Sequence, residues 1–484
     1  MSEAAPWTID IERVYAHHPF TRTVLETLSD AGHEAVLVGG VVRDGLRAQL
    51  EPDYTFTPHE VDIATSARTD EIEAIFHGYR VLTVGKQYGV QVIVSPDGEP
   101  YEVATYRVED EYDGRWPGRV ELVRDLQQDL SRRDFTINGL AARADGTVLD
   151  WVGGIPDLRQ KVIRPIGNAH ERLREDYLRM LRAVRFACVI DADLTDETRE
   201  AIRAHAERIT AISWERIRDE LIALLRTPRS HRGIALMDEL GLLGHLLPEL
   251  AGCQGTPQPE VYHPEGDVYV HTLLALEIAD RVVRDPIVKL AVILHDVGKP
   301  AALKRNAGEN MAGHDEIGAR MARGACQRLR LSNAETDRVV DWVAEHQRIG
   351  HFPEMSRGKQ VKLLKTAERS DAAIADPLRR YPRFAGLVQL MIVDCQASAM
   401  RAEGWLPVLQ TLARLLLHME ALDRRTRAQK LIDGHDLMEL GLERGPQVGA
   451  VLESLYEKIY AGELISRAAA LDEAKRLIAE RHGE

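Results

Sequence analysis

Two glycines follow an apolar run at Val38-Gly39-Gly40-Val41-Val42-Arg43-Asp44. About twenty residues later a carboxylate pair stands at Glu60-Val61-Asp62-Ile63-Ala64-Thr65. Paired glycines after a strand let the backbone approach a phosphate, and a helix that begins there points its free N–H groups at it. Arg43, one turn into that helix, can reach the same phosphate. Acids at i and i+2 on a strand share a face, which suits divalent cations held against a triphosphate. A third cluster, Arg132-Arg133-Asp134-Phe135-Thr136-Ile137-Asn138, supplies cations for the ribose and phosphates of a nucleotide. Together these residues point to nucleotidyl transfer. Each also has a plainer reading. The glycines alone describe a tight turn, the acids a solvated strand edge, and the arginines a basic strand start.

The elements that must position these residues alternate between residues 20 and 150. Glu34 to Val38 reads as a strand, Val41 to Gln49 as a helix, Val61 to Thr65 as a strand, and Thr69 to His77 as a helix capped by Thr69. Strand-like runs follow at Arg80 to Val84, Gly89 to Ser95 and Glu99 to Arg107. Asp145-Gly146 marks a hairpin between Leu140-Arg143 and Thr147-Val152. This half is expected to be an α+β head with one mixed sheet. Beyond Gly154 helical periodicity dominates, at 170–188, 195–208, 213–226, 230–242, 269–284, 286–298, 315–330 and 333–346. Glu249 to Pro264, rich in Gly, Pro and Gln, reads as a linker or a substrate-facing loop.

Composition excludes several classes. The 484 residues, 44% hydrophobic and 29% charged, fit an ordinary globular chain of roughly three domains. No apolar run approaches a membrane span and Met1 to Phe20 lacks the pattern of a secretory signal, so a cytoplasmic protein is expected. Cys188, Cys253, Cys326 and Cys395 are scattered and read as buried, reduced thiols. A net charge of −14 argues against bulk nucleic-acid binding but leaves room for a local basic groove.

The order GGxVRD, xVDIATSA, TYR, DGRWP and DLxRRDFTING over residues 39–139 resembles the class II tRNA nucleotidyltransferases and bacterial poly(A) polymerases of the DNA polymerase beta superfamily. The resemblance implies two Mg²⁺ ions held by Glu60 and Asp62, and a nucleotide contacted by Gly39, Gly40, Arg43, Asp44, Arg132, Arg133, Asp134 and Asn138. Glu102 is a candidate third carboxylate. The family's metal pair is usually Asp-x-Asp, so Glu60 is a departure that keeps the charge and adds a methylene. The stretch Arg47 to His59 is also longer than usual.

The next match runs from Arg174 to Phe186. Asp176 and Arg179, at i and i+3 of a continuous helix, would alone form a surface ion pair. The resemblance makes them a protein template for the incoming base. Cytosine and adenine present an amino donor beside a ring-nitrogen acceptor, matching a carboxylate and a guanidinium, whereas guanine and uracil are mismatched. CTP and ATP are therefore the expected substrates. Arg172, Arg179 and Arg182 share a broad face read as an RNA-facing stripe, with Arg182 also assigned to the nucleotide. Ser213 to Leu221 resembles a family motif in which Arg216 and Glu220 brace this neck.

A second constellation comprises His271, His295-Asp296 within Val292 to Pro300, and Asp394. A His-Asp pair ending an apolar helix places two ligands where the helix dipole favours a cation. It resembles the HD-domain metal-dependent phosphohydrolases, with His314 and His346 as candidates for a second metal. The ligand types suit Mn²⁺, Ni²⁺, Mg²⁺ or Fe²⁺ without choosing among them. Gly434 to Leu471 resembles the helical tail that grips tRNA, and Arg424, Arg425, Arg427 and Lys430 form a basic run there.

The expected organisation is a nucleotidyltransferase head at 20–154, a helical neck at 155–250, an HD domain at 251–400 and a helical RNA-binding tail at 401–484. The expected function is untemplated addition of CCA to tRNA 3′ ends. CC-adding, A-adding and poly(A)-adding enzymes are the alternatives, and a phosphohydrolase or a non-catalytic RNA-binding module the alternatives of another class. The intact stretch Tyr106 to Arg124 favours competence for A.

Overall fold

The computed structural model describes residues 6–83, 88–112, 117–261, 263–365, 380–398, 403–460 and 463–482. Seven strands form one mixed sheet: β1 (Ala35–Val38), β2 (Asp62–Thr65), β3 (Arg80–Thr83), β4 (Val90–Val94), β5 (Pro100–Thr105), β8 (Leu140–Ala142) and β9 (Val148–Asp150). Their order across the sheet is β3-β4-β5-β2-β1-β8-β9. The intervening β6 (Arg107–Tyr112) and β7 (Pro117–Leu122) make a separate antiparallel hairpin. The stretch Tyr106 to Arg124, kept in view for its bearing on A addition, thus holds two paired strands, with residues 113–116 outside the described residues.

Two features place the chemistry at the sheet centre. β1 is antiparallel to β2, so Val38, which leads into the glycines, lies opposite Asp62. β2 is parallel to β5, which pairs Asp62 with Glu102. Val36, Val38, Ala64, Tyr106, Leu126, Leu130 and Ala141 form a buried cluster against one face of this sheet. The N-terminal segment, unread in the sequence, adds helices Ile11–His17 and Phe20–Asp30 and a bridge from Thr8 to Thr147.

Several local expectations change. Thr69 is the first residue of helix Thr69–Ile75, not its cap; Glu71 reaches back to accept from the Arg68 N–H at 2.7 Å. The helix read over 286–298 ends at Leu294, and a separate helix, Lys299–Arg305, follows it. The helix read over 170–188 is broken into Ala169–Glu175 and Leu178–Val189. Between them Asp176 is extended (φ −150°, ψ 105°). A linker reading of Glu249 to Pro264 is also corrected: Cys253 in this stretch is buried and Gln258 bonds Lys299.

The chain divides into two compact units, one of residues 1–344 with 396–400 and one of 345–395 with 401–484. The second unit is helical, with helices Arg357–Lys365, Pro382–Ala397, Leu406–Leu431, Gly434–Glu439, Pro446–Tyr460 and Arg467–His482. Its C-terminal helices enclose Leu437, Val451, Leu455, Ala470 and Ala474, all fully buried. His346 and Asp394 belong to this unit. Arg424, Arg425, Arg427 and Lys430 lie on Leu406–Leu431, with their side chains outside the described set. Cys188, Cys253 and Cys326 are unpaired and buried, and burial pushes each thiol up to about 12.

Candidate active site and metal centre

A cavity of about 630 Å³ opens over the ends of β1, β2 and β5. Its wall gathers Gly39, Gly40, Arg43, Glu60, Asp62, Arg132, Arg133, Asp134, Asn138, Asp176, Arg179 and Arg182, all singled out from the sequence. Asp44 is not on that wall; it pairs with Arg43 at 2.9 Å and Arg47 at 3.5 Å beneath it. Seven arginines and five carboxylates line the cavity, so an acidic chain keeps a cationic site for a polyanion.

Gly39 has φ +72° and ψ −129°, a conformation open to glycine alone, and it ends β1 where helix Gly40–Leu50 starts. A Cβ on Gly39 would stand 3.4 Å from Arg133 Nη1 and 3.7 Å from Asp62 Oδ2. The turn therefore brings the free amides of a helix start beside an arginine and a carboxylate. Arg133 is tied to Asp129 only at 3.4 Å, and its buried Nε has no partner among the described residues. It is the arginine best disposed toward an added phosphate.

Glu60 is exposed and precedes the strand, so the two acids do not alternate along β2 as expected. Glu60, Asp62 and Glu102 nevertheless converge on the cavity. Burial raises the pKa of Asp62, with Glu60 adding to the shift and Arg133 opposing it. Burial, then the charges of Asp62 and Glu60, raise Glu102 as well. The raised values of Asp62 and Glu102, with the carboxylate of Glu60 beside them, fit a divalent cation, which would relieve the repulsion.

Behind this wall a chain of ion pairs fixes the arginines. Arg43 donates to Asn138 Oδ1 at 2.8 Å, Asn138 donates to Asp134 at 3.0 Å, and Arg182 donates to Asp134 Oδ2 at 2.8 Å. Burial works against the charged Asp134, but Arg182 and the Asn138 and backbone hydrogen bonds outweigh it and hold its pKa at about 2. Arg182 and Arg185 both meet Glu220, at 3.3 and 2.6 Å, which is the expected brace of the neck. Phe186, not foreseen, lies under Arg43, Arg182 and Arg185, with guanidinium carbons 5.2, 5.2 and 4.3 Å from its ring centre. Its place one turn beyond Arg182 was the available signal. Asp129, also missed, is buried and bonds Arg132 at 2.8–2.9 Å from i−3.

Asp176 and Arg179 both face the cavity, but their side chains pair with other residues and not with each other. Asp176 is held by Arg216 at 2.5 and 3.3 Å, and Arg179 by Glu175 and the Arg172 carbonyl. The RNA-facing stripe is corrected too. Arg172 sits on the other helix and donates to the carbonyls of Ser131, Arg132 and Ile166 at 2.9–3.0 Å, clamping head to neck.

The second cluster, unlike the acids of the first, is fully buried. His295 ends helix Pro286–Leu294, His271 comes from Val268–Val282, and His314 opens His314–Arg328. Their Nε2 atoms lie 3.2, 3.9 and 3.3 Å from the Asp296 carboxylate. Each Nδ1 is engaged from outside: His295 by Val292 O at 2.7 Å, His314 by Met311 O at 2.9 Å, and His271 by Glu265 at 2.7 Å. Outer contacts of that kind hold imidazoles as metal ligands. Burial opposes the charge on Asp296, but the charges of His295 and Lys299 and the hydrogen bonds of His295 and His314 keep its pKa well below the carboxylate range.

The chain matches the family model described as the poly A polymerase head domain over residues 35–164. It also matches a probable RNA- and SrmB-binding site of polymerase A over 193–253 and the HD domain over 268–376. A CCA-adding enzyme of Levilactobacillus brevis is 30% identical over 465 residues, 96% of this chain and 98% of the relative. This chain belongs to the CCA-adding enzyme and poly(A) polymerase family. An A-adding tRNA nucleotidyltransferase of Deinococcus radiodurans is 32% identical over 442 residues, 89% of this chain and 92% of the relative. Among solved structures, the Bacillus stearothermophilus CCA-adding enzyme in complex with CTP is 26% identical with a TM-score of 0.56, covering 96% of this chain and 99% of that one. Among the described residues, no helix is long and apolar enough to cross a membrane.

Proposed function

We propose that the chain is a template-independent nucleotidyltransferase that adds C, C and A to the 3′ end of tRNA from CTP and ATP. The observation that carries this is one cavity bearing three carboxylates, a cationic wall and the Asp176–Arg179 donor-acceptor set. Glu60, Asp62 and Glu102 would hold Mg²⁺. When bound, the ions supply charge neutralisation for in-line attack of an RNA 3′-hydroxyl on the α-phosphorus. The helix start at Gly40 and Arg133 receive the triphosphate. Asp176 accepts from the base's amino group while Arg179 donates to its ring nitrogen, so selection needs no nucleic-acid template. The division into head, neck, HD domain and tail at residues 154, 250 and 400 belongs to this proposal. So do a divalent metal at His271, His295 and Asp296, with His314 beside them, and a phosphohydrolase activity there.

A-only addition is a second reading, favoured by the Deinococcus relative at similar identity. Three tRNA transcripts, ending before CCA, after C and after CC, separate the readings when incubated with CTP and ATP singly and together. CCA addition extends all three to one length. An A-adding enzyme extends only the last, a CC-adding enzyme stops short of A, and a poly(A) polymerase overruns. Asp62→Ala is expected to lower incorporation by at least 100-fold, an effect on the order of 3 kcal/mol. Survival of incorporation in that variant would remove the head as the catalyst.

A further inference from the structure

We propose that Arg216 is a specificity-determining residue that positions Asp176 for the incoming base. The inference rests on Asp176 reading the base and adds how that carboxylate is made selective. A carboxylate offers about four acceptor positions. On Asp176, Oδ1 accepts from the Leu178 N–H at 3.1 Å and from Arg216 Nη1 at 3.3 Å, and Oδ2 accepts from Arg216 Nη2 at 2.5 Å. One position remains, on Oδ2. Both side chains are part-buried, 16% and 31% exposed, and both line the cavity.

Asp176 needs this support because of where it sits. It is the extended residue between helices Ala169–Glu175 and Leu178–Val189, tied to the second only through its carbonyl, which accepts from the Arg179 N–H at 3.0 Å, and through the Leu178 N–H on its carboxylate. Arg216 reaches it from helix Trp214–Leu225, forty positions along the chain. The same helix sends Glu220 to Arg182 and Arg185, which is a brace. Arg216 is different, because its partner is the residue that faces the base. Clamped by two N–H groups, the carboxylate presents one oriented acceptor. An amino group of C or A donates to it; the carbonyl oxygen of U or G meets like charge there. A lysine keeps the positive charge but cannot hold both oxygens in one plane.

The test measures kcat/KM for CTP, UTP, ATP and GTP with the full-length protein and a tRNA acceptor. Ratios within one preparation do not depend on the folded fraction. Arg216→Lys and Arg216→Met are each expected to lower the CTP/UTP and ATP/GTP ratios roughly tenfold or more, with CTP KM raised more than kcat is lowered. Glu220→Gln is expected to lower Tm while keeping the ratios. If both Arg216 variants slow all four nucleotides equally, Arg216 is only a brace and the proposal falls. Asp176→Ala separates the two levels. Loss of discrimination there with none in the Arg216 variants defeats this proposal alone, and retained discrimination in Asp176→Ala removes the base-reading role and this proposal with it.

Discussion

Asp134 shows how one residue in the arginine-rich motif serves a purpose its sequence context conceals. It faces Arg182 and Asn138, and its ionised form is required by both. Its folded pKa of about 2 lies below the ordinary value of 3.8. The charged form therefore stabilises the fold fully above pH 4, and that contribution is lost as pH falls toward 2. The contribution is on the order of 2 kcal/mol. Asp134→Asn is expected to be less stable than the parent at pH 7, with the difference shrinking as pH drops from 4 to 2. Urea denaturation across that range measures it, and a constant difference would show that the ion pair is not its source.

At the scale of elements, the site depends on a turn and a break. The turn is Gly39, whose positive φ carries β1 into helix Gly40–Leu50. Gly39→Ala meets no hard collision, since the nearest atoms stand at 3.4 and 3.7 Å. Its cost is backbone strain of about 1–3 kcal/mol. Relaxation of the turn would swing the helix start away from Arg133, so kcat/KM for CTP should fall on the order of tenfold or more. A variant with unchanged kcat/KM would place the triphosphate elsewhere. The break is at Asp176, which turns two residues expected on one helical face into two independent groups, each with its own partner.

For the whole molecule, the head cavity and the buried histidine cluster occupy different structural supports. The head cavity is built on the sheet and the helices Ala169–Glu175, Leu178–Val189 and Trp214–Leu225. The histidine cluster is built on Val268–Val282, Pro286–Leu294 and His314–Arg328. His295→Ala is expected to abolish stabilisation of the protein by Mn²⁺ or Ni²⁺ in a thermal melt, while CTP and ATP addition stays within a few-fold of the parent. Collapse of addition with an unchanged melting profile would mean that the clusters do not act separately.

Much of this was legible in the sequence because it is local. Glycines before a helix, acids on a strand and a His-Asp pair ending an apolar helix are short-range patterns, and each lies in its expected element or within two residues of it. Distant members of each site, such as Glu102 and His271, could be named from the resemblance, but their pairing was not legible. Glu102 reaches Asp62 only because β5 pairs in parallel with β2, and Arg216 reaches Asp176 from another helix. Sequence periodicity ran through the break at Asp176 because residues on both sides bury apolar side chains. The residue types that do the chemistry were thus determined along the chain. Which of them meet, and which charge each one answers, was decided by long-range pairing and packing, because an ion pair depends on separation in space and not on separation in sequence.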